Sequence, residues 1–282
     1  MMRRALAAFI ASAALAQPGV AQAWRTLDAS RQARDTNAIS AHVEYAAGKL
    51  DLKPASGPVL YHASMRYDAD RAEPVARFDS AARVLTLGVH IRGMNLSGMD
   101  ERHDAGSMRA ELSGSVPMDL SLDLGAVEAD LQLGGLRLTD LTLRSGAADV
   151  TARFDRPNRE QLRTMTLQVG AAQVKVLDAA NSGVARITAE VGAGSLTIDL
   201  GGVLSRDVDI TATLAAGGLT LNVSPDAGVF VDERSLLGGF DKDGFAKKGD
   251  GWYSANYDAA TPHVRVHLHA FLGGMTLTRV QK

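Results

Sequence analysis

Three of the seven histidines in this chain lie close together near its C-terminal end, at His263, His267 and His269. The even-numbered residues between them are apolar, which predicts a β-strand whose outer face carries all three imidazoles. Imidazole is a common ligand of zinc and other divalent metals, so the three histidines are candidate metal ligands. However, Arg265 lies between His263 and His267, and no carboxylate is fixed beside them. We therefore keep them as weak metal candidates and interpret them as outward surface residues.

Acidic side chains are the second group that could do chemistry, because a pair of carboxylates can cleave a glycosidic bond. In this sequence the aspartates occupy isolated outward positions on predicted strands, as solubility requires. Those considered are Asp119, Asp123, Asp130, Asp199, Asp207 and Asp209. The sequence contains no nucleophile-elbow, phosphate-loop or dinucleotide motif. We therefore predict that the protein is not an enzyme and has no cofactor.

Aromatic residues are few, at 5% of the chain, and three of them lie in a glycine-rich segment near the C-terminal end. These three are Trp252, Tyr253 and Tyr257. Tyr and Trp combine a large apolar body with a polar edge, which suits them to contact surfaces. The segment therefore predicts an aromatic contact patch, with packing over the end of the core as the alternative.

A repeated unit organises the region from 116 to 223, and it consists of an alternating apolar strand, a glycine-centred corner and a second alternating strand. The stretches LSLDLGAVEADLQLGGL and ITAEVGAGSLTIDLGGV are two versions of it. A period of 21 to 25 residues separates the corners from Gly125 to Gly217, which is typical of repeat architectures. The predicted corner glycines of the whole chain are Gly48, Gly125, Gly146, Gly170, Gly192, Gly217 and Gly273.

The apolar residues change parity at each corner, for example from Leu124 to Val127 and from Leu272 to Met275. An odd offset keeps the same face inward on both strands, and we expect the corner glycines to supply a positive φ for the bend. The pattern predicts an all-β solenoid, similar to a β-helix, built from stacked strand–corner–strand units. An antiparallel β-meander or sandwich is the alternative. The final unit, HVRVHLHAFLGGMTLTRV, is expected to cover the last edge of the stack.

The N-terminal residues 1–23 have the features of a signal peptide, with Arg3 and Arg4 ahead of an apolar stretch and cleavage expected after Ala23. We expect an N-terminal β domain at 24–106 and a solenoid domain with a C-terminal capping segment at 107–282. No other stretch is long and apolar enough to span a membrane. The net charge of −2 and the lack of a basic cluster argue against nucleic-acid binding.

The C-terminal sequence resembles the ending of bacterial toast-rack proteins, which are relatives of the cell-wall-active antibiotic response family and of candidate adhesin domains. The shared pattern includes Pro225–Val229, Tyr253–Tyr257 and the Gly273-Gly274 pair. The early stretch HVEYAAGKLDLKP is similar to the N-terminal unit of the same family. The resemblance covers most of 42–282, and its motifs are corners and strand edges, so it implies a fold more than an activity.

Together these patterns predict an exported, non-catalytic β-solenoid of the periplasm or cell surface. We expect a structural, adhesive or stress-response contact module of the bacterial cell envelope. A carbohydrate-binding or carbohydrate-cleaving envelope protein is the alternative. The expected partner is an envelope protein or polysaccharide whose identity the sequence leaves unknown, and oligomerisation stays open.

Overall fold

The computed structural model describes residues 23–92 and 106–280, and almost all of its regular structure is β-strand. The predicted signal peptide, apart from Ala23, and most of the predicted boundary at 94–106 lie outside the described residues. One short 3-10 helix spans Ala179–Ser182. In chain order the strands are β1 (Trp24–Gln32), β2 (Ile39–Pro54), β3 (Val59–Asp68), β4 (Ala72–Asp79), β5 (Val84–Ile91), β6 (Ser107–Leu112), β7 (Met118–Gln132), β8 (Leu138–Ser145), β9 (Asp149–Arg153), β10 (Thr164–Val169), β11 (Gln173–Leu177), β12 (Arg186–Val191), β13 (Ser195–Asp199), β14 (Val208–Leu214), β15 (Gly218–Val223), β16 (Gly228–Ser235), β17 (Gly239–Phe240), β18 (Phe245–Lys248), β19 (Gly251–Ser254), β20 (His263–Ala270) and β21 (Gly274–Arg279).

Each rung of the structure contributes one strand before its corner and one strand after it. The strands before the corners form the first sheet, in the order β5, β2, β7, β8, β10, β12, β14, β20, β16. The strands after the corners form the second sheet, in the order β6, β2, β7, β9, β11, β13, β15, β21, β17. The long strands β2 and β7 run through their corners and belong to both sheets.

All neighbouring strands in these two series pair in parallel and in register, which confirms the predicted solenoid and rules out a meander for this body. Antiparallel pairs occur at the two ends of the stack. At the N-terminal end β1 pairs with β3, β3 with β6, and β4 with β5. At the C-terminal end β16 pairs with β19 and β19 with β18. Because β2 and β7 pair along thirteen residue positions, strands on both sides of the expected domain boundary share one stack.

The final strand–corner–strand unit does not lie where the sequence predicts it. Strand β20 is inserted between β14 and β16, and β21 is inserted between β15 and β17. The prediction that this unit covers the last edge is therefore wrong, because the segment that precedes it in the chain lies further out. The insertion places the predicted histidine strand between two paired neighbours instead of at an edge.

The alternating pattern of burial confirms the predicted parity in the body of the stack. Leu124 and Val127 are both buried on the two sides of the first corner of the repeat, and the apolar residues of both sheets form one continuous core. The last corner differs, because Leu272 is 54% exposed and Ala270 is the buried residue before the turn. Each of these corners projects a pair of residues outward, and in this rung the pair is Phe271 and Leu272.

The expected positive φ at the corner glycines is wrong at six of the seven positions. Gly48 has a φ of 116°, whereas the corner glycines from Gly125 onwards do not have a positive φ. Close approach between rungs requires glycine instead at Gly125, Gly170, Gly217 and Gly273. A Cβ added at Gly125 would lie 2.3 Å from the backbone oxygen of Ala46, and one at Gly273 would lie 2.1 Å from that of Gly217. Neighbouring rungs therefore touch backbone to backbone at these corners.

In the described parts of the chain, no helix is both long enough and apolar enough to cross a membrane.

Candidate contact surface

The histidines of β20 and Arg265 face outward from the first sheet, while Val264, Val266 and Leu268 are buried in the core. In register with β20, strand β14 lies on one side and strand β16 on the other. Arg265 is thereby placed between Asp209 and Phe230, and His267 between Thr211 and Asp232. The insertion of β20 thus gathers side chains from three separate stretches of the chain on one outer face.

Arg265 is held by two carboxylates, one directly before β14 and one within it. Its guanidinium donates to Asp207 at 2.6 Å and to Asp209 at 3.2 Å. The hydrogen bonds to Asp209 and Asp207 raise the pKa of Arg265 above its usual value. The hydrogen bond from the backbone N–H of His263, 2.8 Å long, lowers the pKa of Asp207, and Arg265 lowers it further. Arg265 and Asp207 are therefore both charged at neutral pH, and the cation is fixed in place.

Aromatic rings continue this face along β16 and β19. The ring of Tyr257 lies 4.5 Å from that of His263 and 5.0 Å from that of Tyr253, between centroids. Phe230 lies 4.9 Å from Tyr253 and 6.1 Å from His267. These five rings are half-buried. Each ring lies against the next in a continuous series that runs from His263 to His267. We call the set of Phe230, Tyr253, Tyr257, His263 and His267 the aromatic–histidine surface.

Trp252 does not join this surface, because adjacent residues on a strand point to opposite sides. Its ring meets Phe240 at 6.4 Å, and Phe240 in turn meets Phe245 at 5.5 Å. Trp252 packs against the hydrophobic core from the C-terminal end, with the ammonium of Lys242 5.1 Å from its ring. Of the three aromatic residues selected from the sequence, the structure thus brings Tyr253 and Tyr257 together and places Trp252 in the cap of the core.

Two features of this face were not predicted from the sequence. They are the ring of Phe230 and the ion pairs of Arg265. Phe230 precedes Tyr253 by more than twenty residues, and Asp207 precedes Arg265 by 58. These contacts could be predicted only from the register of β14, β20 and β16. That register can be worked out only if β20 is known to be inserted between the other two strands. A strand order read in sequence would have placed β16 beside β14.

The three histidines do not converge. His263 contacts the backbone oxygen of Tyr257 through Nε2 at 3.0 Å, and His267 contacts Asp232 through Nδ1 at 3.4 Å. His269 is exposed at the end of the strand. Among residues 23–92 and 106–280, no group of three or more histidine or acidic side chains is arranged to hold a metal ion. The geometry therefore gives these imidazoles separate partners and does not present them as one ligand set.

Replacing His267 and His269 together with Asn tests this arrangement. We expect the free energy of unfolding to change by no more than about 0.5 kcal/mol, as at ordinary surface positions. Zinc should leave the melting temperature of the unaltered protein unchanged. A zinc-dependent rise in the melting temperature that disappears in the double variant, measured by calorimetry, would instead show that the histidines bind metal.

The remaining aspartates are spread over both sheets. Asp119 and Asp123 lie on the first sheet, and Asp130 and Asp199 lie on the second. Asp123 pairs with Arg144 at 3.3 Å, and Asp199 accepts the backbone N–H of Gly201 at 2.9 Å. Asp119 is in register with Asp140 of β8, and burial and then this second carboxylate raise the pKa of Asp119.

A shallow groove of about 920 Å³ follows the corners of the first sheet. Its polar wall is a chain of side chains on consecutive rungs, in which Arg144 contacts Asp123 and donates to Gln168 at 3.0 Å. Gln168 then donates to Glu190 at 3.0 Å. The carboxylates of Asp123 and Glu190 are thus engaged with a cationic and an amide donor, and the groove offers a row of polar groups with a floor of glycine and alanine backbone.

The parallel stack of two sheets defines a β-solenoid protein. Residues 21–177 match the family model described as the N-terminal domain of toast_rack, DUF2154. This match covers more than half of the chain, and the protein belongs to that family. It includes the early stretch whose resemblance was noted from the sequence.

Solved structures similar to this chain include two bacterial proteins. A candidate cell adhesion protein from Clostridium sporogenes is 12% identical, with a TM-score of 0.46 over 91% of this chain and 100% of its own. A candidate adhesin from Bacteroides fragilis is 10% identical, with a TM-score of 0.44 over 90% and 97% of the two chains. These similarities are too low to carry an argument about function. No curated protein matches the sequence.

Proposed function

We propose that this toast-rack protein is exported and serves as a non-catalytic contact module of the bacterial cell envelope. The observation that carries the proposal is the aromatic–histidine surface on the outer face of the last rungs. Rings with polar edges are clustered there beside a fixed cation, on strands that are paired on both sides. The features of a signal peptide in residues 1–23 support export to the periplasm or cell surface.

The chemistry of this face favours binding over catalysis. Aromatic rings provide a large contact area at a small entropic cost, because few side-chain torsions must be fixed. The two carboxylates beside them are bound to Arg265, and the lowered pKa of Asp207 keeps that group from delivering a proton. The face is the exposed side of a sheet, which suits the surface of a macromolecule. An envelope protein or a polysaccharide has the extended surface that such a face can contact.

Binding to envelope material tests the proposal. We expect the double variant Tyr253→Ala and Tyr257→Ala to reduce retention on detergent-washed envelope fragments by at least about ten-fold, since buried aromatic anchors dominate contact surfaces. The matched control is Phe78→Ala, because Phe78 is a half-buried aromatic residue under Arg31 at the opposite end of the stack. Retention that is equal in the double variant and in the unaltered protein would contradict the proposed surface.

The groove along the corners favours carbohydrate as the second candidate partner. Its wall of Asp123, Arg144, Gln168 and Glu190 presents donors and acceptors at the spacing of successive strands, about 4.8 Å. Treating the envelope fragments with protease separates the two partner classes. Retention that survives protease treatment and is lost in Gln168→Ala would favour the polysaccharide, whereas retention that protease abolishes would favour a protein.

A further inference from the structure

Four large apolar side chains are exposed together at the corners of the two outermost rungs. Leu236 is 66% exposed and Leu237 62%, and on the neighbouring rung Phe271 is 56% exposed and Leu272 54%. We call these four residues the apolar tip. Soluble proteins commonly expose single apolar residues, but a contiguous cluster of large ones marks a binding surface.

The backbone of the apolar tip is held by the hydrogen-bond ladder of the corners. The N–H of Leu236 donates to the oxygen of Ala270, and the N–H of Leu237 donates to the oxygen of Phe271, both at 3.0 Å. The pair of Phe271 and Leu272 is bonded in the same way to the rung before it. The four side chains are therefore presented outward by a fixed corner, and they do not belong to a free loop that could fold back on the core.

The equivalent corner pairs on the preceding rungs contain only glycine and alanine. They are Gly125-Ala126, Gly146-Ala147, Gly170-Ala171, Gly192-Ala193 and Ala215-Ala216. Together with the two pairs of the apolar tip they form an uncharged row along the stack, and its side chains become large only on the last two rungs. The large apolar side chains are therefore confined to the C-terminal end of this row.

The size of the apolar tip indicates which occupant it fits. Full burial of its exposed parts would cover about 400 Å². A stable protein interface buries roughly 800 Å² on each partner, so the tip alone is too small for one. A bilayer accepts a small protruding group of apolar side chains without a complementary pocket, as interfacial membrane anchors show.

Charges around the tip agree with a phospholipid surface. Arg234 is exposed two residues before Leu236, and His269 is its in-register neighbour, two residues before Phe271. The adjacent Glu233 is paired with Lys242 at 3.2 Å. We propose that the apolar tip inserts into the headgroup boundary of a lipid bilayer, with Arg234 beside the lipid phosphates. This surface is separate from the aromatic–histidine surface and adds a second contact to the proposed function.

Vesicle binding by protein purified after export tests this inference. The vesicles consist of phosphatidylglycerol and phosphatidylethanolamine, and the variant carries Leu236→Ser, Leu237→Ser, Phe271→Ser and Leu272→Ser. We expect the unaltered protein to sediment with the vesicles and the variant to lose at least about ten-fold in affinity. Val203→Ser is the matched control, since Val203 is 71% exposed away from the tip. It should bind like the unaltered protein.

A second readout locates the contact. In Leu237→Trp, the added fluorescence should shift to shorter wavelength when vesicles are present, because the indole leaves water. Sedimentation without lipid should show the same mass for the unaltered protein and the four-residue variant. The inference is overturned if vesicles do not bind, if the variant binds equally, or if the substitutions convert a dimer into a monomer, which would identify a second copy as the occupant.

Testing each variant in the other assay shows whether the two surfaces act independently. The four-residue variant should still be retained on detergent-washed envelope fragments, and Tyr253→Ala with Tyr257→Ala should still bind vesicles. If the tyrosine variant keeps its retention on the fragments but the tip variant loses vesicle binding, the proposed function fails while the lipid contact stands. The reverse result leaves the proposed function intact and overturns the lipid contact.

Discussion

Leu167→Asp is expected to be the most damaging single substitution in the central rungs. Leu167 is 0% exposed in β10 and lies in register between Leu143 of β8 and Ala189 of β12. Leu167→Ala should lower the free energy of unfolding by about 2–5 kcal/mol through lost burial and a residual cavity. The aspartate should cost more, because an unpaired carboxylate inside the stack has neither water nor a hydrogen-bond partner. Chemical denaturation followed by circular dichroism measures both changes.

Thr166→Asp is the matched control for this prediction. Thr166 is the next residue on the same strand and faces outward between Thr142 and Thr188. The same new charge should therefore change the free energy of unfolding by no more than about 0.5 kcal/mol. If Thr166→Asp were as damaging as Leu167→Asp, the assignment of inward and outward faces would be wrong.

Gly217→Ala is expected to destabilise the protein strongly, whereas Gly218→Ala next to it should be tolerated. A Cβ at Gly217 would lie 2.5 Å from both the backbone oxygen of Gly194 and a methyl group of Val191. The rungs would have to separate, and forcing extra volume into a packed site costs about 1–3 kcal/mol or more. At Gly218 the nearest atom lies 4.0 Å away, and no positive φ is required. That substitution should be neutral or stabilising by about 0.4–1 kcal/mol.

Thermal unfolding of the two variants shows why glycine is needed at this corner. It distinguishes close approach of the rungs at Gly217 from a requirement for a particular backbone conformation. The methyl group is the same in both variants, and the two positions are neighbours in the chain. Equal melting temperatures would show that the rungs do not touch at Gly217. A large loss at Gly218 as well would point to a general intolerance of side chains at this corner instead of the specific contact with Gly194.

The fold could be predicted from the sequence where the pattern depends on local alternation. Leu124 and Val127 lie on opposite sides of a corner, and their odd separation alone predicts that both face inward. The role of the corner glycines was predicted less well, because the atom that excludes a side chain at Gly125 belongs to Ala46 on another rung. Leu272 was predicted to face inward, but it is exposed. An apolar residue just before a corner is assigned to the inner face unless the length of the corner is known.

The candidate surface was harder to predict, because it depends on strand order. His263 and His267 were placed correctly on an outer face by their spacing with buried neighbours. Their actual neighbours, Phe230 and Asp207, follow from the insertion of β20 between β14 and β16. No local pattern in the sequence specifies that insertion, since either order satisfies the alternation of apolar residues. Tyr253 and Trp252 differ in role because they point to opposite sides of β19.

Hydrogen exchange with and without detergent-washed envelope fragments tests the proposed contact function most directly. Amides in β16, β19 and β20 should gain protection when the fragments are present, because these strands carry the aromatic–histidine surface. The central strands β10 to β13 should exchange at the same rate in both conditions. Tyr253→Ala with Tyr257→Ala should abolish the added protection. Protection that appears in the central or N-terminal rungs, or that persists in the double variant, would contradict the proposed contact surface.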